Sequence, residues 1–408
     1  MITLTRYGDA RDAFRSRDLR QALYDAGERL MHGVIVNLHG DEHIARRRLE
    51  NRLFRRDTFA WYERDHIPQI IDRVLAAPIA AGSGDLLPLA RRTMMTLSAD
   101  VAGVDLVRID ETEETDGEHI AERFDRFDDL MGRLARASTV AHAVGDHAAI
   151  IAQGDEALAT FDEEFLAPAI ERRRDLIDRF GAGSFDEDEL PRDVLTTLLR
   201  NQDRLDLPDA TLLREIAYFP WVGSHSTSAQ LVHAVHHMFE WIEEHPESRP
   251  ALQEDATLRQ RFVHESMRLH PASPIALRHA LADLSLKSGL AIPAGSDVTI
   301  SVHDANRDVE VFPGDPDRFD PYRTLSDGVA PWGLSFGHGT HACLGQELAS
   351  GMEPDDALDH HLLGSVALMS GAMLRAGARP DPDDPAVLDT ATTRVMWGRY
   401  PVRFGSSA

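Results

Sequence analysis

Cysteine is nearly absent from this chain: Cys343 is the only one in 408 residues, so no intrachain disulfide can staple the fold. No run approaches the roughly 18 apolar residues that a membrane helix needs, and no signal peptide opens the chain. Ser/Gly tracts, Pro-rich spacers and internal repeats are missing too. Positive charge is in deficit: 43 Lys and Arg stand against 68 Asp and Glu, a net charge of −25. That balance argues against general binding to nucleic acid or to an anionic membrane. These absences describe a cytoplasmic globule. Its polar stretches Asp110 to Glu118, Gly181 to Asp193 and Ala378 to Asp384 read as surface connections. Length alone suggests two or three domains. The lack of linkers argues for one, and a hydrophobic content of 43% supplies an ample core.

What is present gathers around the lone cysteine, in Phe336-Gly337-His338-Gly339-Thr340-His341-Ala342-Cys343-Leu344-Gly345. The glycines let backbone approach closely, and Leu344 to Ala349 reads as a helix. A cysteine at a helix N-terminus meets backbone N–H groups and the positive end of the helix dipole, which favour thiolate over thiol. A thiolate in a tight loop suits ligation of a haem iron. The plainer alternative is a small buried hydrophobe without chemistry.

The pattern Phe-Gly-x-Gly-x-His-x-Cys-x-Gly resembles the haem-binding loop of the cytochrome P-450 (haem-thiolate monooxygenase) family, soluble bacterial type. The resemblance implies a mainly α fold with a smaller β portion (α+β), as one haem domain over residues 1–408. It implies haem b, ligated by Cys343 and contacted by Phe336, Gly337 and Gly345. It also implies oxidation of an apolar small organic molecule by O2, in natural-product metabolism, with electrons from NAD(P)H through a reductase and a ferredoxin or flavodoxin. Alternatives are a non-enzymatic auxiliary or sensor protein of the same fold and a peroxide-using enzyme; the Arg-Pro pair associated with the latter is missing.

Glu265-Ser266-Met267-Arg268 is the second signal. Residues three apart share a helix face, so Glu265 and Arg268 can pair. His270-Pro271, Arg278, Asp283, a Gly289 to Gly295 turn, Asp304 to Asp308, Phe312-Pro313, Asp315-Pro316 and Arg318-Phe319 follow in order. This order is similar to the family's run from helix to sheet to meander, in which the Glu–Arg pair and a meander residue lock the core; the role implied for Glu265 and Arg268 is structural. Partly buried haem propionates need cations or hydrogen-bond donors. The resemblance offers His43 and Arg47, four apart on a helix, with Arg278 and His341. Arg46, Arg47, Arg48, Arg52, Arg55 and Arg56 crowd one short stretch. They read either as a solvated helix face or as a docking patch for an acidic electron-transfer protein, at Arg46, Arg48, Arg52, Arg55 and Arg56.

Thr211 to Glu243 reads as one long helix, started by Pro208-Asp209 and stopped by His245-Pro246. Pro220 removes a backbone donor, so a kink or widened turn is expected between Ala217 and Thr227. Ser224, Ser226 and Thr227 can bond back to carbonyls there. In the resembled family this helix carries Ala/Gly-Gly-x-acid-Thr-Thr and supplies protons during oxygen activation. Here the stretch is Val222-Gly223-Ser224-His225-Ser226-Thr227. Gly223 and Thr227 match, His225 stands at the acid position, and Ser226 replaces the first threonine. Serine keeps a hydroxyl, and imidazole, with a pKa near ~6.5, still exchanges protons near neutrality. His225 and Ser226 are expected to form a relay; the alternative is that His225 fills space or meets substrate.

His233, His236 and His237 have metal-ligand spacing but no accompanying carboxylate motif, so a core or solvated face is expected; His360-His361 reads as surface. The substrate pocket is assigned to Phe219, Val222, Ile275, Leu277, Val395 and Met396, which are mainly apolar. Leu4 to Ala10 reads as a strand and a helix start, and the family's earlier first helix and strand are expected to be missing. Ser350 to His360, which contains Pro354, reads as an insertion.

Overall fold

The computed structural model describes residues 2–106, 117–184, 186–353 and 361–405. Most of the expected loop at Asp110 to Glu118 and most of the Ser350 to His360 stretch lie outside them; Gly117 and Glu118 open a helix. Helices dominate, with short strands in small sheets, as the α+β reading requires. Residues pack into two compact units, each assembled from distant segments. One holds Met1–Leu23, Phe54–Arg91 and Ser226–Ala408; the other holds Tyr24–Leu53 and Arg92–His225.

In the first unit a four-stranded sheet runs in the order Ile2–Leu4, Asp297–Ser301, Ile275–Ala280, Leu19–Gln21. Ile2–Leu4 pairs in parallel with Asp297–Ser301, at Ile2↔Val298 and Leu4↔Ile300. Ile275–Ala280 pairs antiparallel with both of its neighbours. Side chains alternate across a strand, so Ala276, Arg278 and Ala280 turn to the buried side. Leu4, Phe14, Leu19, Val298, Ile300, Phe312 and Leu334 form one core with this sheet. Burying each such large side chain stabilises by roughly 1.5–3 kcal/mol. Leu334 sits two residues before Phe336, so the sheet core anchors the cysteine loop. The expected strand and helix start are there, as Ile2–Leu4 and the helix Tyr7–Arg15.

The helix Ala256–Leu269 carries the Glu–Arg motif. Asp255 caps it by accepting from the Leu258 N–H at 2.9 Å, the standard use of aspartate at a helix start. Every residue from Phe262 to Leu269 is buried, so this helix runs through the core rather than along the surface.

The second unit is built on the helices Gly117–Ser138, His147–Phe161 and Ala167–Gly181. Phe127, Phe161 and Phe165 pack ring to ring. A side chain at Gly154 would come within 2.4 Å of the Ala137 Cβ, so glycine is what lets these helices approach. Asp105, Arg172, Arg173 and Asp193 form an ion network. The long helix spans Asp209–Glu244 and supplies residues to each unit. It is α-helical throughout, so the widened turn expected near Pro220 is not formed. Ser224 Oγ donates to the Pro220 carbonyl at 2.6 Å, a back-bond that satisfies that carbonyl without opening the helix.

Candidate active site

The cysteine loop belongs to the first unit. The Cys343 N–H donates to the Phe336 carbonyl at 2.9 Å, and the Gly337 N–H to the Leu334 carbonyl at 2.8 Å. Gly337 and Gly339 have φ of 65° and 73°, values an L side chain adopts only with strain. A Cβ at Gly339 would also stand 2.6 Å from the Phe14 carbonyl oxygen. His341 ends a short 3-10 turn, Gly339–His341, and the Cys343 side chain is exposed. The following helix is Gln346–Ser350, only 5 residues, with Gly345 at its N-cap. This corrects the expected helix at Leu344 to Ala349. Cys343 precedes the cap rather than lying in the first turn, so the helix dipole contributes little, since it acts only within a turn of the end.

Behind the loop, Arg268 is fully buried. Its Nε and Nη2 donate to the two Glu265 oxygens at 2.7 Å each, and Nη1 donates to the carbonyls of Asn306 and Pro316. Arg323 is the meander residue of this lock. It donates to Glu265 Oε1 at 3.3 Å and to the carbonyls of Pro313, Asp315 and Arg318. Asn306 connects lock to loop: its amide nitrogen donates to the Arg268 carbonyl and to Ser335 Oγ, and its Oδ1 accepts from the Leu334 N–H. Sequence reasoning missed Arg323 and Asn306 because arginine and asparagine in a loop carry no periodic signal.

Arg278 is buried. Its Nη1 bonds to Gln21 Oε1 and to the Leu277 carbonyl, and its guanidinium lies 5.2 Å from the Phe14 ring centroid. Phe14 also lies beneath Gly337 and Gly339. It is therefore the common neighbour of Arg278 and the cysteine loop, another residue that sequence left unmarked. A side chain at Gly345 would meet no protein atom within 4 Å, so glycine there keeps space clear over the loop. One sulfur donor, an arginine that shares Phe14 with the loop, and that cleared space fit a haem bound through Cys343.

His43 and Arg47 belong to the other unit, on the helix Gly40–Glu50. His43 is buried, and burial, with Arg47 and His39 nearby, lowers its pKa to about 4. In these surroundings it is neutral at pH 7. Arg47 Nε donates to Asn51 Oδ1 at 3.1 Å. Arg46 corrects the docking expectation. It is 4% exposed and pairs with Glu215 at 2.8 Å and with Glu50 at 4.0 Å, so it cannot meet a partner. Burial raises the pKa of Glu215 to about 7 and that of Glu50 well above the usual carboxylate range. Arg48, Arg52, Arg55 and Arg56 are exposed. Arg56 Nε lies 3.3 Å from Glu347, on the helix after Cys343, and an open groove there is lined by Phe54, Arg55, Arg56, Asp57 and Glu347.

On the long helix, Val222, Gly223, Ser226 and Thr227 are half-buried, while Phe219, Ser224 and Ser228 are buried. His225 Nδ1 lies 3.1 Å from the Trp221 carbonyl. A carbonyl only accepts, so Nδ1 carries the proton and donates. Ser98 Oγ would lie 2.6 Å from a Cβ at Gly223, so a larger residue there collides. Of the assigned pocket residues, Ile275, Leu277 and Met396 are half-buried, whereas Val395 is 68% exposed. The histidines further along do not converge on a metal. His233 stacks on His270 at 4.3 Å, His237 Nε2 bonds to His270 Nε2 at 3.0 Å, and His236 Nδ1 bonds to the Tyr400 hydroxyl. No group of three or more metal-binding side chains is arranged for an ion among the described residues. His361, expected at the surface, is partly buried and bonds to Gln260 Oε1 at 2.7 Å.

Known proteins resemble this chain in sequence and in fold. The family description "Cytochrome P450" matches residues 151–353. Cytochrome P450 BJ-3 of Bradyrhizobium diazoefficiens is 34% identical over 233 residues, 54% of this chain and 50% of that protein. Vitamin D(3) 25-hydroxylase of Pseudonocardia autotrophica is 42% identical over 106 residues, 26% of this chain and 25% of that protein. The matched stretches thus span half or less of these relatives. The structure of epothilone D-bound cytochrome P450epoK superposes with a TM-score of 0.73 at 21% identity, over 99% of this chain and 91% of that one. A thiol on a glycine loop, backed by a buried Glu–Arg–Arg lock in this fold, defines the haem-thiolate class. The chain belongs to the cytochrome P450 family. Among the described residues, no helix is long and apolar enough to cross a membrane.

Proposed function

We propose that the chain is a single haem domain that binds haem b through Cys343 and oxidises an apolar small organic molecule with O2, as a cytoplasmic monooxygenase of natural-product metabolism. The observation that carries this reading is the fastening of the Cys343 loop to the buried Glu265–Arg268–Arg323 lock through Asn306. When bound, the haem supplies oxygen activation, and a thiolate ligand favours O–O cleavage. The protein's part is positioning and proton supply. Cys343 holds the iron. Phe336, Gly337 and Gly345 shape the loop around the haem. Arg278 and His341 in one unit, and His43 and Arg47 in the other, are the donors available to the propionates. Phe219 and Val222 in one unit, and Ile275, Leu277 and Met396 in the other, offer the apolar side chains that such a substrate calls for.

His225 and Ser226 move protons, with Gly223 and Thr227 beside them. His225 Nδ1 faces the Trp221 carbonyl and Ser224 Oγ on its own helix, so the proposed exchange takes place at Nε2. Electrons come from NAD(P)H through a reductase and a ferredoxin or flavodoxin, which docks near Arg48, Arg52, Arg55 and Arg56. A red-shifted Soret band in the reduced, CO-bound protein is the expected result, lost in Cys343→Ala. A normal band in that variant would overturn the assignment. Substrate-dependent product formation with surrogate redox partners separates the enzyme from a haem-thiolate sensor.

A further inference from the structure

One side chain of the Glu–Arg helix touches both arms of the cysteine loop. His264 is 3% exposed. Its Nε2 lies 2.8 Å from the Ser350 carbonyl oxygen, so Nε2 is protonated and donates. Ser350 ends the short helix that leaves the loop. The same imidazole meets Trp332 edge to face, with centroids 4.9 Å apart at 77°. Trp332 in turn meets Phe336 at 5.8 Å and 87°, and Phe336 accepts the Cys343 N–H. Cys343 therefore lies on a segment whose entering arm is propped by the His264 ring and whose leaving arm is tied by the His264 N–H. Gln260, four residues earlier on the helix, donates to the same Ser350 carbonyl at 3.0 Å. It reaches the leaving arm only; among the ring and hydrogen-bond contacts described, His264 is what spans the two.

We propose that His264 is a positioning residue for the Cys343 thiolate: it sets the spacing of the two arms and so how firmly the sulfur is held toward the iron. This rests on the reading of Cys343 as the haem ligand. A buried carbonyl that loses its donor is costly, and the arm that bears it is then displaced to find another. Edge-to-face rings hold their mutual geometry, so loss of the imidazole frees Trp332 and Phe336 together. Each half of the grip can be removed separately. His264→Phe keeps a ring against Trp332 and deletes the donor; His264→Gln keeps a donor and deletes the ring; Trp332→Leu cuts the ring path and leaves His264 intact.

The test uses purified holoproteins, with the reduced CO spectrum and the ferric/ferrous potential as readouts. The wild type shows the red-shifted thiolate band. In His264→Phe the shorter-wavelength form, in which thiolate ligation is lost, rises about tenfold; His264→Gln and Trp332→Leu give smaller rises. The potential moves positive in the same order, because weaker thiolate donation disfavours ferric iron. A role in stability alone would lower the melting temperature and leave band and potential in place; that outcome overturns the proposal. If His264→Phe fails to accumulate as holoprotein, Trp332→Leu and His264→Gln decide it on the same two readouts. A wild type without the red-shifted band overturns the ligand assignment itself, which is a different result.

Discussion

Arg268 shows what a single buried charge commits a fold to. Its guanidinium spends its donors on one carboxylate and two carbonyls and lies 5.0 Å from the Phe312 ring centroid. Removing one partner of a buried pair leaves the other unpaired, typically at about 3–5 kcal/mol. Arg268→Ala is expected to lose about that much stability and most haem incorporation, measured by chemical denaturation and by haem per polypeptide. Arg268→Lys is expected to rescue little, because an ammonium lacks the planar fork that Glu265 receives. Retention of wild-type haem content in Arg268→Ala would disprove the lock. Glu265, Arg268 and the glycines of the loop were legible in sequence, since spacing and residue type dictate their geometry. Phe14, Asn306 and Arg323 were not, because each acts through a tertiary contact that no local pattern encodes. Arg46 misled for the same reason. Charge patterning distinguishes a basic face from a buried ion pair only when the partner is visible, and Glu215 lies far along the chain.

At the level of elements, capping decides where helices begin. Glu63, in a π-helical turn at Tyr62–His66, accepts from the Leu363 and Gly364 N–H groups at 3.0 and 2.6 Å. These amides open the helix Ser365–Arg375, whose Gly364 cap has no side chain of its own. Glu63→Ala is expected to destabilise by about 1–2 kcal/mol, read as a lower denaturation midpoint, with Glu63→Gln between it and wild type. An unchanged midpoint would show that solvent serves these amides equally well. The long helix was legible from its start and stop signals. The widened turn was not formed: the helix is continuous through Pro220. The helix after Cys343 came out short and late, since Gly351, with φ of 69°, ends it after one turn.

For the whole molecule, buried histidines set the pH response of the first unit, while in the second two buried carboxyls oppose and outnumber the lowered His43. Burial lowers the pKa of His233 and His264 to about 4 and of His270 to about 2, and all three lie in the first unit. Depressed histidines contribute stability above about pH 6.5, which is lost as pH falls toward their folded values. Burial raises Glu50 and Glu215, the latter to about 7, and both lie in the second unit. Raised carboxyls contribute stability below about pH 4.5, which is lost as pH climbs through 7. Hydrogen exchange corrected for intrinsic rates should therefore find Ser226–Ala408 less protected at pH 5 than at pH 8, and Arg92–His225 less protected at pH 8 than at pH 5. Glu50→Gln should flatten the second trend. Parallel responses in both units would contradict it. Fold class and family were legible from motif order over the chain. The division into units was not: composition marks linkers, and these units interleave without one.

A carboxamide also closes a neck in this fold. Gln260 Nε2 donates to the carbonyls of Ser350, Leu362 and Leu363, and the Met352 N–H donates to the Leu362 carbonyl. The two strands of chain on either side of residues 354–360 are thus stitched together. Lengthening a loop whose ends are already fixed adds only about 0.6 kcal/mol per doubling. Nature or an engineer could splice a whole electron-carrier module into this position. The carrier would then be tethered at about millimolar effective concentration, a short distance along the chain from Cys343.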